Sequence, residues 1–291
     1  METTDLLRKV RKIEIKTRGL SSQIFSGEYH SAFKGRGMAF SEVREYMPGD
    51  DIRSIDWNVT ARFNHPYVKV FEEERELTVM LLVDVSGSGS FGTRKQLKRD
   101  LITELCAVLS FSAIQNNDKA GVIFFSDKIE LFIPPKKGKT HILRIIRELI
   151  NLEPESHGTD LGMALRYFTN MIKKRSIAFV ISDFKSKNFE DSLKIASRKH
   201  DTVAIRIADR HEKHLPDVGL VRMQDAETGQ FRWVDTSSAA VRLRFEQWNR
   251  TYTAQLESMF NRSGIDHTVI ETGMNYVTPL INLFKARERR F

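Results

Sequence analysis

The segment Asp84-Val85-Ser86-Gly87-Ser88 follows directly on the apolar run Leu77-Thr78-Val79-Met80-Leu81-Leu82-Val83. A buried strand that ends this way sets a carboxylate and two hydroxyls on the turn leaving the sheet. Such oxygens suit a hard divalent cation, above all Mg²⁺, which takes about six oxygen ligands in octahedral array and keeps several waters. Two further oxygen-bearing groups stand downstream at matching places. Thr159 lies in His157-Gly158-Thr159-Asp160, ahead of an amphipathic pattern, and Asp183 closes the apolar run Ile177-Ala178-Phe179-Val180-Ile181-Ser182. Each piece also has a plainer reading: Asp84 as a turn cap, Ser86-Gly87-Ser88-Gly89-Ser90 as a loop, and Gly158-Thr159-Asp160 as a helix N-cap.

The elements that must position these groups follow from hydrophobic period. From Leu77 onward strands and helices alternate: strands at about 77–84, 120–125, 176–183, 202–207 and 266–270, and helices at about 94–116, 139–151, 160–174, 189–199, 238–262 and 277–289. All-apolar strands alternating with helices predict an α/β fold with a doubly wound, largely parallel sheet covered on both faces. Lys128-Ile129-Glu130-Leu131-Phe132-Ile133 alternates and then meets Pro134-Pro135, which predicts one half-exposed antiparallel edge strand. A hairpin around Glu227-Thr228-Gly229 is inserted at about 210–237. In such sheets ligands bind beyond the carboxyl ends of the strands, where the topology reverses, so Asp84 and Asp183 are expected to face one crevice.

In this order and at these element ends, Asp84, Ser86, Ser88, Thr159 and Asp183 resemble the metal-ion-dependent adhesion site of von Willebrand factor A domains. The resemblance implies Ser86 and Ser88 as direct hydroxyl ligands of Mg²⁺ or Mn²⁺, and Thr159 bound directly or through water. Asp84 and Asp183 would act mainly through water while supplying charge. An ion with few direct carboxylates keeps an open position for an Asp or Glu of a protein partner, and the site does no covalent chemistry.

Residues 1–76 read differently: a helical pattern over 1–20, then a segment rich in glycine, aromatic residues and mixed charge. They form an extension expected to pack on the main domain of residues 77–291. Gly35-Arg36-Gly37-Met38-Ala39-Phe40, then Arg44-Glu45-Tyr46-Met47-Pro48-Gly49-Asp50-Asp51-Ile52-Arg53-Ser54-Ile55-Asp56-Trp57 and Ala61-Arg62, resemble the signature of the bacterial and archaeal family called domain of unknown function 58. The likeness extends over nearly the full chain, including Asp225-Ala226-Glu227-Thr228-Gly229. It implies a chaperone-like protein-binding module that works beside a MoxR-type AAA+ ATPase on protein complexes. Many relatives carry membrane helices ahead of the signature, which here begins within 35 residues of Met1. Arg44, Asp50, Arg53, Asp56 and Arg62 offer charge-assisted pairs, with Tyr46, Gly49 and Trp57 among them. They serve either as an internal network or as a docking surface.

Composition bounds the alternatives. The 291 residues are 41% hydrophobic and 29% charged, ordinary for a globular protein. Apolar runs fall short of the roughly 18 residues of a membrane helix. The acidic, polar start and the lone Cys106 suggest the cytoplasm. Residues 1–76 balance 13 basic against 13 acidic side chains, so the net charge of +8 arises in residues 77–291. It gathers at Arg94-Lys95, Lys98-Arg99, Lys136-Lys137-Lys139, Lys173-Lys174-Arg175 and the C-terminal Lys285, Arg287, Arg289 and Arg290. A basic surface of that kind keeps a nucleic-acid binder as the alternative, although no aromatic residues interleave the clusters.

Enzymatic signatures are weak. Gly35-x-Gly37-x-x-Phe40 lacks a preceding buried strand and a third small residue, so it is a poor dinucleotide fingerprint. No Gly-Lys-Ser/Thr loop is assigned, and turnover of ATP is not expected. Ser86 replaces the second carboxylate of an aspartate-nucleophile phosphatase, and Ser86 and Ser88 lack a Gly-x-Ser-x-Gly elbow. His141, His200 and His267 read as packing or surface residues. The expectation is a binding protein and not an enzyme, with a metal-dependent hydrolase as the other alternative.

Overall fold

A computed structural model of the chain describes residues 39–63, 65–72, 77–92, 97–225, 227 and 229–289. The helix expected over residues 1–20 and the Gly35–Met38 stretch lie outside these. The described residues fall into two units, 39–72 and 77–289.

In the smaller unit β1 (Ala39–Glu45) pairs antiparallel with β2 (Tyr67–Glu72), and α1 (Trp57–Phe63) lies between them in sequence. The Arg44 guanidinium donates to both Asp50 carboxylate oxygens at 2.8 and 2.7 Å, and the Met47 amide donates to the same group at 2.8 Å. Those bonds hold the Asp50 carboxyl below the usual carboxylate range. Gly49 takes a φ of +111°, open to a residue without Cβ, and closes the turn between the partners. Asp56 receives the amides of Asn58 and Val59 and pairs with Lys69 at 3.4 Å. The observed pairs are thus Arg44–Asp50 and Asp56–Lys69; the second uses a lysine that sequence reasoning passed over. Tyr46 donates its amide to the Pro66 carbonyl. Arg53, Trp57 and Arg62 are exposed.

In the larger unit six strands form one sheet in the order β10-β7-β6-β3-β4-β5. They are β3 (Thr78–Asp84), β4 (Lys119–Phe125), β5 (Ile129–Lys136), β6 (Ile177–Ser182), β7 (Asp201–Ala208) and β10 (Asp266–Glu271). All neighbours run parallel except β4 and β5. This is the predicted doubly wound, largely parallel sheet with one antiparallel edge strand. Alternate residues of β3 feed opposite faces. Val79, Leu81 and Val83 pack with α2 (Lys98–Gln115), α3 (Lys139–Asn151) and α8 (Val277–Glu288). Met80 and Leu82 pack with α4 (Leu161–Met171), α5 (Glu190–Lys199) and α7 (Ala239–Arg262). Burial of each large apolar side chain contributes roughly 1.5–3 kcal/mol, so this central strand anchors both layers. A short helix α6 (Arg210–Lys213) precedes the separate hairpin of β8 (Leu220–Gln224) and β9 (Phe231–Asp235). No helix among the described residues is long and apolar enough to cross a membrane.

The chain leaves β3 toward β4 and β5 on one side, then returns to β6, β7 and β10 on the other. The reversal therefore lies between β3 and β6, where Asp84 and Asp183 emerge.

Two members of the basic clusters are not on the surface. Lys98 is 1% exposed and Arg287 is 2% exposed. Arg287 pairs with Asp201 at 2.6 Å and Asp266 at 2.5 Å, and Arg99 donates to the carbonyls of Leu149, Ile150 and Leu152. Sequence clustering cannot see that these cations meet acceptors distant in the chain.

Gly121 in β4 sits where the β4–β5 register shifts. A Cβ there would meet Met80 Sδ at 2.8 Å, the Pro135 nitrogen at 2.8 Å and the Ile133 oxygen at 2.9 Å. Two of those atoms are backbone, so the edge strand would have to move. Gly121→Ala is expected to destabilise the fold by about 1–3 kcal/mol, read from urea unfolding; an unchanged midpoint would contradict this packing.

Candidate metal centre

The corner beyond β3 and β6 brings together Asp84, Ser86, Ser88 and Asp183, and the loop that carries Thr159 is bonded to the serine turn. Asp84 is buried, and its two oxygens have separate tasks: one accepts from the Ser86 amide at 3.0 Å, the other from the Ser182 hydroxyl at 2.6 Å. The turn-cap reading of Asp84 is therefore true of one oxygen only. Ser86-Gly87-Ser88-Gly89-Ser90 is a single 3₁₀ turn, pinned by the Gly87 amide to the His157 carbonyl at 3.0 Å. That bond joins the serine turn to the loop carrying Thr159. The Ser86 and Ser88 hydroxyls stand 3.2 Å apart.

Helix α4 is capped by Asp160, whose carboxylate accepts from the Met163 amide at 2.8 Å. Thr159 is thus released from capping. Its hydroxyl donates to Glu227 at 2.9 Å, and its carbonyl accepts from Ser186 at 3.2 Å. The next residue after Asp183, Phe184, adopts the left-handed backbone with φ +62°. Such a conformation costs on the order of 1–3 kcal/mol outside glycine and needs support from its surroundings. The support is a fully buried ring packed on Phe189 and Phe260, the Ser182 hydroxyl accepting from the Phe184 amide, and Tyr252 donating to the Phe184 carbonyl.

Two carboxylates in one buried corner disfavour each other's charge. Burial, then the nearby Asp183 charge, pushes the Asp84 carboxyl up to about 6. Burial also works against ionised Asp183, but the Lys98 and Lys185 charges outweigh it and hold its carboxyl below the usual range. Lys98 Nζ lies 3.4 Å from Asp183 and 2.7 Å from Glu212, and Lys185 Nζ reaches Glu212 at 2.6 Å. Lys98, Ser182, Lys185, Glu212 and Glu227 were not selected from the sequence. Only Ser182, adjacent to Asp183 at the strand end, carried a local signal.

No group of three or more His, Cys, Asp and Glu side chains among the described residues is placed to hold a metal. A cation here would rest on hydroxyls backed by two carboxylates, which is the donor set of a small hard ion. Neighbouring oxygens of a Mg²⁺ octahedron, with ligands at about 2.0–2.1 Å, stand about 2.9 Å apart. The 3.2 Å between the serine hydroxyls is close to that edge. Hydrolytic machinery is harder to find. The two serine hydroxyls pair with each other. The Ser–His contact described, Ser176 with His200 at 3.0 Å, is buried at the amino end of β6, where burial drops the His200 pKa to about 4. Gly138-Lys139-Thr140 opens α3, but Ile133 occupies the first glycine position of a phosphate loop and belongs to the antiparallel edge.

Lys98→Met would leave Asp183 buried without its nearest cation. Removing one partner of a buried pair typically costs about 3–5 kcal/mol. Urea unfolding of the metal-free variant should show a loss of that order, and wild-type stability would contradict the role given to Lys98.

The uncharacterized protein Rv1480 of Mycobacterium tuberculosis is 28% identical over 287 residues, spanning 98% of this chain and 90% of that protein. Protein YeaD of Bacillus subtilis is 28% identical over 109 residues, covering 38% of this chain and 25% of its own length. Among solved structures, the chain is similar to BatB from Bacteroides thetaiotaomicron with a TM-score of 0.47 and 13% identity, covering 73% of this chain and 99% of that one. It is also similar to the SpRpn10 VWA domain, with a TM-score of 0.38, 11% identity and coverage of 71% and 94%. The profile of the family described as "Protein of unknown function DUF58" matches residues 42–255, and the chain belongs to that family.

Proposed function

We propose that the protein is a metal-dependent protein-binding module. Ser86, Ser88 and Thr159 would hold Mg²⁺ or Mn²⁺, with Asp84 and Asp183 supplying charge from behind. The observation that carries this reading is the release of the Thr159 hydroxyl from helix capping, on a loop bonded to the turn that pairs Ser86 with Ser88. A bound ion supplies a Lewis-acidic position for one carboxylate oxygen of a partner. The chain's own residues do the rest. Asp84 orients the serine turn through the Ser86 amide, and Ser182 fixes Asp84. Lys98 neutralises part of the carboxylate charge, which leaves the hydroxyl-held position attractive to an incoming anion. The proposed step at this corner is binding alone and calls on no nucleophile–base pair among the described residues. The family resemblance names the partner as a MoxR-type AAA+ ATPase or its client, handled in a chaperone-like manner.

Calorimetric titration of Mg²⁺ tests the ligand set. Ser86→Ala with Ser88→Ala should abolish binding while far-UV dichroism stays unchanged, and undiminished binding would overturn the assignment. Because Asp84 takes up a proton below about pH 6, wild-type affinity should be full at pH 8. Well below pH 6 it should fall by about tenfold per pH unit. An affinity that rises on acidification would contradict the sign. The same preparations should turn over neither ATP nor phosphate esters; activity lost in Asp84→Ala would convert the reading to a metal-dependent hydrolase.

Complex formation with the ATPase or its client tests the bridge. Chelator and Asp183→Ala should each weaken the complex by at least about tenfold, in line with loss of a charge-assisted contact. Binding unchanged by both would move the contact away from this corner, with the exposed Arg53, Trp57 and Arg62 surface the next to test.

A further inference from the structure

The hairpin of β8 and β9 is an element with little core. Most of its residues are exposed, including Leu220, Phe231 and Trp233. Its base is tied down at Val218, Gly219 and Thr236, where the Thr236 amide and hydroxyl meet the Gly219 carbonyl at 2.9 and 2.7 Å. At the other end the turn is built to present one side chain. The Asp225 carboxylate accepts the Glu227 amide at 2.9 Å, the Asp225 carbonyl accepts the Gly229 amide at 2.8 Å, and Gly229 takes φ +69°. The side chain presented is Glu227, and it ends on the Thr159 hydroxyl at 2.9 Å, 68 residues away in sequence.

We propose that Glu227 is an intramolecular carboxylate for the metal position, a built-in occupant that a partner's Asp or Glu must displace. This rests on the metal-binding reading above. The chemistry is specific: a partner would offer a carboxylate oxygen beside Thr159, and the hairpin already places one there. Its distance from the Thr159 oxygen equals the about 2.9 Å edge of a Mg²⁺ octahedron, so both oxygens fit adjacent positions on one ion. The Thr159 hydroxyl would keep its proton and turn it away from Glu227, so that a lone pair of each oxygen could face the cation. Because the hairpin buries little, lifting it exposes no core, and exchange of one carboxylate for another is a local event. A tethered carboxylate of this kind acts at an effective concentration in the millimolar range. It therefore excludes casual acidic ligands while yielding to a partner that makes further contacts.

Water-proton relaxation of bound Mn²⁺ reads this directly, because each protein oxygen on the ion removes one exchanging water. The full chain would be compared with Glu227→Gln, which removes the charge, and Glu227→Asp, which keeps the charge but loses reach. With Glu227 on the ion, both variants gain one water, and the relaxivity of bound Mn²⁺ rises by up to about half, as from two waters to three. Added acetate, a free carboxylate probe, should then occupy the position at about tenfold lower concentration in both variants than in wild type. Wild-type Mn²⁺ binding with relaxivity and acetate response unchanged in both variants would overturn the inference and leave the metal site standing. A change in Glu227→Gln but not in Glu227→Asp would reduce Glu227 to a field effect and also overturn it. Failure of the wild-type chain to bind Mn²⁺ would remove the metal reading and this inference together.

Discussion

Two adjacent parallel strands that both end in aspartate force two carboxylates into one buried corner, and the site is organised around that constraint. The sheet sets it: Val83 is in register with Ile181, so Asp84 and the residues after Ser182 leave the strands side by side. Neither carboxylate can be hydrated freely there. Every nearby feature answers this repulsion, through hydroxyl and amide donors on Asp84, ammonium groups around Asp183, and the left-handed Phe184 that turns the chain away at once.

The two aspartates resolve the conflict differently. Asp84 is served by neutral donors, Ser182 and the Ser86 amide, and its carboxyl rises; Asp183 faces Lys98 and stays ionised. That asymmetry suits an outward-facing set of hydroxyls. Charge is present to attract a cation but is partly spent on Lys98, so a bound ion would remain hungry for an external carboxylate. Burying Lys98 has a cost of its own, which Glu212 offsets by receiving both Lys98 and Lys185.

Much of this was legible in the chain itself. The apolar runs Leu77–Val83 and Ile177–Ile181 announced central strands because no alternating pattern would survive burial on both faces, and Pro134-Pro135 marked the antiparallel edge. Asp84 and Asp183 could be placed near one another because strand ends at the reversal of a doubly wound sheet share a crevice. Ser86, Ser88 and Thr159 were joined to them only by the resemblance to an adhesion-type metal site. The charged groups around them were not legible. Lys98 stood in a string of basic residues and looked solvated; its partner Glu212 is 114 residues away, and no local pattern encodes that meeting. Glu227 was visible only as part of a hairpin turn. Asp56 could not be matched to Lys69 either, since the pair depends on the Ile55–Val68 bridge and the bond from the Asp56 amide to the Tyr67 carbonyl, which bring this turn against β2.

The smaller unit poses a separate question. Its Arg44–Asp50 bidentate pair and the Asp56 cap order a turn-rich segment with little apolar content, while Arg53, Trp57 and Arg62 are exposed. Within this unit the signature divides: Arg44, Asp50 and Asp56 build the turn, and Arg53, Trp57 and Arg62 do not.

A crystal of the full chain soaked in Mn²⁺, with anomalous scattering collected at the manganese edge, tests the central claim most directly. The account predicts a single strong peak bonded to Ser86 Oγ, Ser88 Oγ and Thr159 Oγ1, with Asp84 and Asp183 reached through water. A peak elsewhere, or none while Lys98 still bridges Asp183 and Glu212 at saturating Mn²⁺, would contradict it.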